Sequence, residues 1–156
     1  MPLQEIEFRT VDYSSDTELR TYSRLFWNIP LEHNAYFTCR SESFLDDYVA
    51  TARQTEDAGN TFSGIALHQG EIVGLHLVRR YEEWEQVGVH IAGLWVHPEY
   101  RGIGIARTLK NQGETWARSI GATFINANIQ AGNRRMLKIS EQAGFSLFRF
   151  NMRKRL

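Results

Sequence analysis

The clearest chemistry in the sequence lies in Arg101-Gly102-Ile103-Gly104-Ile105-Ala106, which follows the apolar run Leu94-Trp95-Val96 and the break at Pro98. Apolar and polar residues then recur at helical spacing to about Arg118, so the stretch reads as strand, glycine turn and helix. A helix that starts this way leaves its first N–H groups without internal partners and directs them, with the positive end of the helix dipole, at one spot suited to an anion. Gly102 and Gly104 allow a phosphate to approach the main chain, where a Cβ would intrude, and they accept positive φ. Two better-known phosphate motifs do not fit. The dinucleotide fingerprint wants a small residue where Arg107 stands, and the P-loop wants a terminal Gly-Lys-Ser/Thr that is missing here.

What fits is Arg/Gln-x-x-Gly-x-Gly/Ala after a strand ending in Val-x-Pro-Glu-Tyr, with a second match downstream, where Asn133 opens a short helix that ends in Gly144-Phe145. Together these resemble the two motifs of the GCN5-related N-acetyltransferase (GNAT) superfamily, over roughly Gly64 to the C-terminus. The resemblance implies acetyl-CoA as co-substrate. The backbone of Leu94, Trp95 and Val96 would pair with the pantetheine arm, in a gap where this strand splays from the next, and a bulge near Gly93 would suit that splay. Arg101, Gly102, Ile103, Gly104, Ile105 and Ala106 would hold the pyrophosphate. Arg107, Lys110, Arg134 and Lys138 either supply phosphate charge or are solvated helix faces. Asn133 either contacts the cofactor near its thioester end or caps its helix, and the two roles are compatible.

The resemblance also assigns the chemistry. A family glutamate that serves as general base corresponds to His90, which titrates near neutrality; the alternative is a hydrogen-bonded strand histidine with no catalytic duty. The tyrosine that usually protonates the departing thiolate corresponds to Ser140, a shorter and poorer donor. The expected reaction is direct N-acetylation of a primary amine on a small molecule: an aminoglycoside, a polyamine or an amino-acid-like compound. The alternatives are acetylation of a protein N-terminus or lysine, and a CoA-binding sensor without transferase activity. Dimers are frequent in the family, so a homodimer is compatible with this reading.

Composition narrows the setting. At 156 residues, with 42% hydrophobic and 23% charged residues, the chain reads as one soluble globular domain spanning 1–156. Eighteen basic residues balance eighteen acidic ones, which argues against nucleic acid or an anionic membrane as partner; four basic residues between Arg149 and Arg155 are a local exception. Cys39 is the single cysteine, and no spaced His/Cys set suggests a metal, so none is expected. The acidic start and the lack of an apolar run of about 20 residues point to a cytoplasmic protein.

The elements that must position these residues follow from periodicity. Strands are expected at Ile6–Val11, Phe62–Leu67, Ile72–Arg79, Val87–Val96, Phe124–Ile129 and Phe145–Arg153. Helices are expected at Asp16–Trp27, Ser43–Thr55, Ile103–Arg118 and Asn133–Gln142. The order β-α-α-β-β-β-α-β-α-β gives an α/β (α+β mixed) fold: a central, mostly antiparallel sheet with helices on both faces.

Overall fold

The computed structural model describes residues 2–32, 37–56 and 59–156. A sheet runs in the order β1 (Glu7–Thr10), β2 (Thr61–His68), β3 (Glu71–Glu83), β4 (Gln86–Val96), β5 (Phe124–Ala127). The first four strands pair antiparallel, and β4 pairs with β5 in parallel. Helices α1 (Asp16–Asn28) and α2 (Glu42–Thr55) precede β2, α3 (Ile105–Ser119) links β4 to β5, and α4 (Arg134–Gln142) follows β5.

Side-chain alternation along the strands divides the core into two layers. Ile65, Leu75 and Leu77 face α1 and pack with Leu19, Tyr22 and Phe26, while Val78, Val89, Val96 and Ala66 face α3 and its Ile105, Leu109 and Ala117. Burying each such aliphatic or aromatic side chain contributes roughly 1.5–3 kcal/mol. Ser15 and Ser41 cap α1 and α2, their hydroxyls accepting from the N–H groups of Glu18 and Phe44. Both hairpins turn through two residues at positive φ, Gln69-Gly70 and Trp84-Glu85. The second pair lacks the usual turn composition, and β3 runs on to Glu83, past the Arg79 at which the sequence pattern ends it.

One irregularity shapes the site. Leu77 pairs with Gly93 and Val78 with Ile91, so Ala92 is an extra residue in β4 and forms a bulge. A Cβ on Gly93 would lie 2.7 Å from the ring of Phe26, so only glycine lets α1 seat against the strand here. His76 holds the bulge from the other face by donating Nδ1–H to the Gly93 carbonyl at 3.1 Å. Past the bulge β4 leaves its neighbour, and the β4–β5 ladder covers only Gly88–Ile91 against Phe124–Ala127.

His76 is 2% exposed, and burial pushes its pKa from 6.5 down to about 4. The unfolded chain therefore binds a proton that the folded chain refuses between those two values. Stability should be lost as pH falls through that window, by about 3 kcal/mol once pH is below 4. His76→Asn, which keeps a donor for Gly93, should flatten this part of the curve in urea unfolding measured from pH 7 to pH 4; an unchanged curve would refute the assignment.

Two sequence expectations need correction. The strand after α3 stops at Ala127 rather than Ile129. The closing strand over Phe145–Arg153 is not formed: after Phe145 N–H donates to the Ser140 carbonyl, the tail has no regular secondary structure. A strand needs a partner edge, and the tail is separated from β5 by a groove that both segments line.

Candidate functional site

The departure of β4 from β5 opens a groove of about 700 Å³. Its walls are β4 from Ile91 to Val96, the start of α3, and a stripe of α4. At one end lies the glycine turn. Gly102 and Gly104 have φ of +88° and +105°, values open to glycine, and Gly104 is the N-cap of α3. The first intrahelical bond of α3 runs from Thr108 N–H to the Gly104 carbonyl, so the N–H groups of Ile105, Ala106 and Arg107 precede the ladder. The first turn of α3 has no acidic side chain, and Arg107, Lys110 and Arg135 line the groove. The arrangement presents unpaired N–H groups, a helix dipole and three cations to an anion in the groove.

The residues expected from sequence to hold the cofactor gather here in most cases. Leu94, Trp95, Val96, Arg101, Gly102, Gly104, Ile105, Ala106, Arg107 and Asn133 all line the groove. Ile103 does not; its side chain packs into the cluster around Ile6 and Val96. Arg101 reaches the groove wall but its guanidinium serves as a brace: Nε donates to the Val96 carbonyl at 2.8 Å and Nη2 to Glu32 at 2.8 and 3.0 Å. Glu32 also accepts from Trp95 Nε1 at 2.8 Å, so this carboxylate ties the glycine turn to β4. Asn133 caps α4, its Oδ1 accepting from Met136 N–H at 3.1 Å, while its residue still lines the groove.

On α4 the groove face is Arg135, Met136, Ile139, Gln142 and Ala143, and neither Arg134 nor Lys138 is on it. The spacing of three and four that marks this stripe is present in the sequence, so projecting α4 as a helix would have selected Arg135. Ser140 is buried within α4 and lies off the groove, so its hydroxyl does not stand where a proton donor would reach bound ligand directly.

His90 sits one residue from the end of the β4–β5 ladder, paired with Arg79 on β3 and Asn126 on β5. Its neighbour Ile91 lines the groove and packs below α3, so by strand alternation His90 points to the face that carries α1 and α2. Arg79 there bonds Glu56 at 2.8 Å, and Tyr48 donates to the same carboxylate oxygen at 2.7 Å. Asn126 donates to Tyr81 Oη. Burial, and then the Arg79 charge, lower the His90 pKa from its usual value, so the ring is neutral at physiological pH. By residue type Trp27, Tyr36 and Trp84 suit either an acceptor pocket or core and surface packing; Trp27 is packed against Phe26, Phe44 and Tyr48, Trp84 is exposed, and Tyr36 lies outside the described residues. Among the described residues no group of three or more His, Cys, Asp or Glu could hold a metal ion, and no helix is long and apolar enough to cross a membrane.

A sequence model described as the Acetyltransferase (GNAT) family matches residues 23–145. Mycothiol acetyltransferase of Propionibacterium freudenreichii subsp. shermanii is 30% identical over 78 residues, half of this chain and a quarter of that protein. The chain therefore spans well under two thirds of that relative. Solved structures share the fold. An acetyltransferase from Trypanosoma brucei aligns over 97% of this chain and 99% of its own, with a TM-score of 0.70 and 22% identity. An aminoglycoside acetyltransferase from an uncultured soil metagenomic sample, solved in complex with sisomicin, aligns over 98% and 97%, with a TM-score of 0.72 and 12% identity. The groove at the β4–β5 fork, the glycine turn and the family match agree: the chain belongs to the acetyltransferase (GNAT) family.

Proposed function

We propose that this chain moves the acetyl group of acetyl-CoA directly onto a primary amine of a small molecule, of aminoglycoside, polyamine or amino-acid-like type, acting in the cytoplasm without a metal. The observation that carries the reading is the groove, which has anion-binding N–H groups at one end and the β4–β5 fork at the other. The residues fit the co-substrate: phosphates suit the α3 N-terminus with Arg107, Lys110 and Arg135, and a peptide-like arm suits the open side of Leu94–Val96. Small-molecule acceptors are favoured by the chain's likeness to a mycothiol acetyltransferase and an aminoglycoside acetyltransferase.

When bound, acetyl-CoA supplies an activated acetyl thioester. His90, on the opposite face beside the fork, takes the proton that the acceptor ammonium must lose before its nitrogen can form the C–N bond. The neutral nitrogen attacks the thioester carbonyl, the C–S bond breaks as the amide forms, and the second proton leaving the nitrogen passes through water to the departing thiolate. A thiol with an ordinary pKa of about 8.5 leaves as thiolate with little help, so Ser140, acting through water, is a minor contributor. A homodimer belongs to the same proposal.

Release of CoA thiol should be followed against aminoglycosides, polyamines, amino acids and peptides bearing a free N-terminus or lysine. Turnover with one small-amine class is the expected result. Turnover with peptides alone would replace the acceptor class, and CoA binding with no thiol release from any amine would point to a sensor module.

A further inference from the structure

On the sheet face opposite the cofactor groove, Arg79 of β3 stands directly across from His90 of β4. Opposed residues of an antiparallel pair have Cβ atoms about 4.5–5.5 Å apart, so the two side chains leave the sheet as neighbours. The head group of Arg79 is fixed. Its Nη2 donates to Glu56 Oε1 at 2.8 Å, Tyr48 Oη donates to the same oxygen at 2.7 Å, and Arg79 Cζ lies 5.7 Å from the centre of the Phe26 ring. Glu56 is the C-cap of α2 and 6% exposed, and its Oε2 is buried with no hydrogen-bond partner among the described residues. A carboxylate this far out of water, bonded through one oxygen alone, depends on the opposite charge beside it.

The other polar groups on this face are neutral or already paired. Tyr22, Tyr48 and Tyr81 are phenols that burial holds above their usual pKa, so all three keep their protons near neutral pH. Asn126 of β5, the second strand neighbour of His90, donates to Tyr81 Oη. Glu83, two residues past Tyr81, pairs with Arg149. From α1 comes the uncharged ring of Phe26. Among the described residues, the full charges left to act on His90 are Arg79 and its partner Glu56.

We propose that Glu56, acting through Arg79, is a positioning residue for His90: it fixes the guanidinium and offsets its charge, so that a cationic amine can approach the imidazole and give it a proton. The catalytic part of this inference rests on His90 as the base; the charge coupling does not. With Glu56 in place the pair is neutral as a whole. Without it, a bare guanidinium beside the ring repels both the incoming ammonium and the imidazolium that forms. A unit charge at this range changes such an equilibrium on the order of tenfold.

NMR on the full chain, following the Cε1 signals of its five histidines with pH, tests the coupling, His90 being identified by the signal lost in His90→Gln. Glu56→Gln should lower the His90 titration midpoint by about half a pH unit or more, and Arg79→Gln should raise it. Midpoints that stay in place, or that move the same way in both variants, overturn the proposal, because a brace without a charge role gives no shifts of opposite sign. If Glu56→Gln does not fold, the double variant Glu56→Gln, Arg79→Gln, which strands neither charge, replaces it. Its midpoint should lie below that of Arg79→Gln, and equality would remove Glu56 from the account. In kinetics at neutral pH, Glu56→Gln should raise KM for the amine about tenfold, with CoA affinity by calorimetry within about twofold, and Glu56→Asp, which keeps the charge, should recover most of the loss. An unchanged KM overturns the catalytic part. Midpoints that shift as expected while the acid limb of kcat/KM stays put support the coupling and remove His90 as the base.

Discussion

Replacing Gly104 by aspartate is expected to weaken acetyl-CoA binding at least about 100-fold, close to 3 kcal/mol, while the protein stays folded. Two effects act together on binding. The carboxylate sits at the N-cap of α3, where the N–H groups of Ile105 to Arg107 and the helix dipole await the pyrophosphate, so it satisfies these donors itself and repels the ligand. The φ of +105° also sets the new side chain in a conformation that L-residues resist, at a cost of about 1–2 kcal/mol. Sterics within the fold are mild, since a Cβ there meets only Leu3 Cδ2, at 3.6 Å. Calorimetric titration with CoA, alongside thermal unfolding, separates the two. Binding that survives within a few-fold would show that the glycine turn is not the phosphate site. Gly104→Ala isolates the backbone: it adds strain without charge, so its binding loss should be clearly the smaller of the two.

The glycine turn was legible in sequence because its message is local: two glycines, a preceding strand and a following helix fix where the N–H groups point. The same holds for the bulge at Ala92-Gly93 and for Asn133 as a cap, each decided by a few neighbouring residues. What sequence did not reveal depends on long-range contact. Arg101 carries the motif's arginine, yet its guanidinium goes to Glu32, 69 positions away, and to the end of the preceding strand at Val96. His76 walls the groove and pins the bulge because α3 closes over it at Gly113, which no spacing announces. Ile103 stands in the motif but packs into the core, because the turn winds it inward toward Ile6 and Val96. The tail shows the opposite failure. Its alternation reads as a strand, but alternation specifies two faces and not a partner, and among the described residues the outer edge of β5 carries no further strand.

His90→Ala is expected to lower kcat/KM for the amine by about 100-fold near pH 7, at the lower end of what a positioned general base contributes. The pH dependence distinguishes this role from a structural one. In the wild type the base is active when neutral, and burial with the Arg79 charge lowers its pKa, so the acid limb due to His90 should lie below the ordinary histidine value of 6.5. From there upward the enzyme itself removes the ammonium proton. The variant must wait for amine already deprotonated in solution, so its kcat/KM should rise about tenfold per pH unit until the amine's own pKa, near 10.4 for a lysine-like group. The two profiles therefore diverge at neutral pH and converge as pH rises. Parallel profiles, shifted by a constant factor, would mean that His90 supports β4 beside Arg79 and Asn126 without handling a proton. His90→Gln separates the cases again: it fills the same space and hydrogen-bonds, so it should rescue a structural loss but leave the neutral-pH defect of a missing base in place.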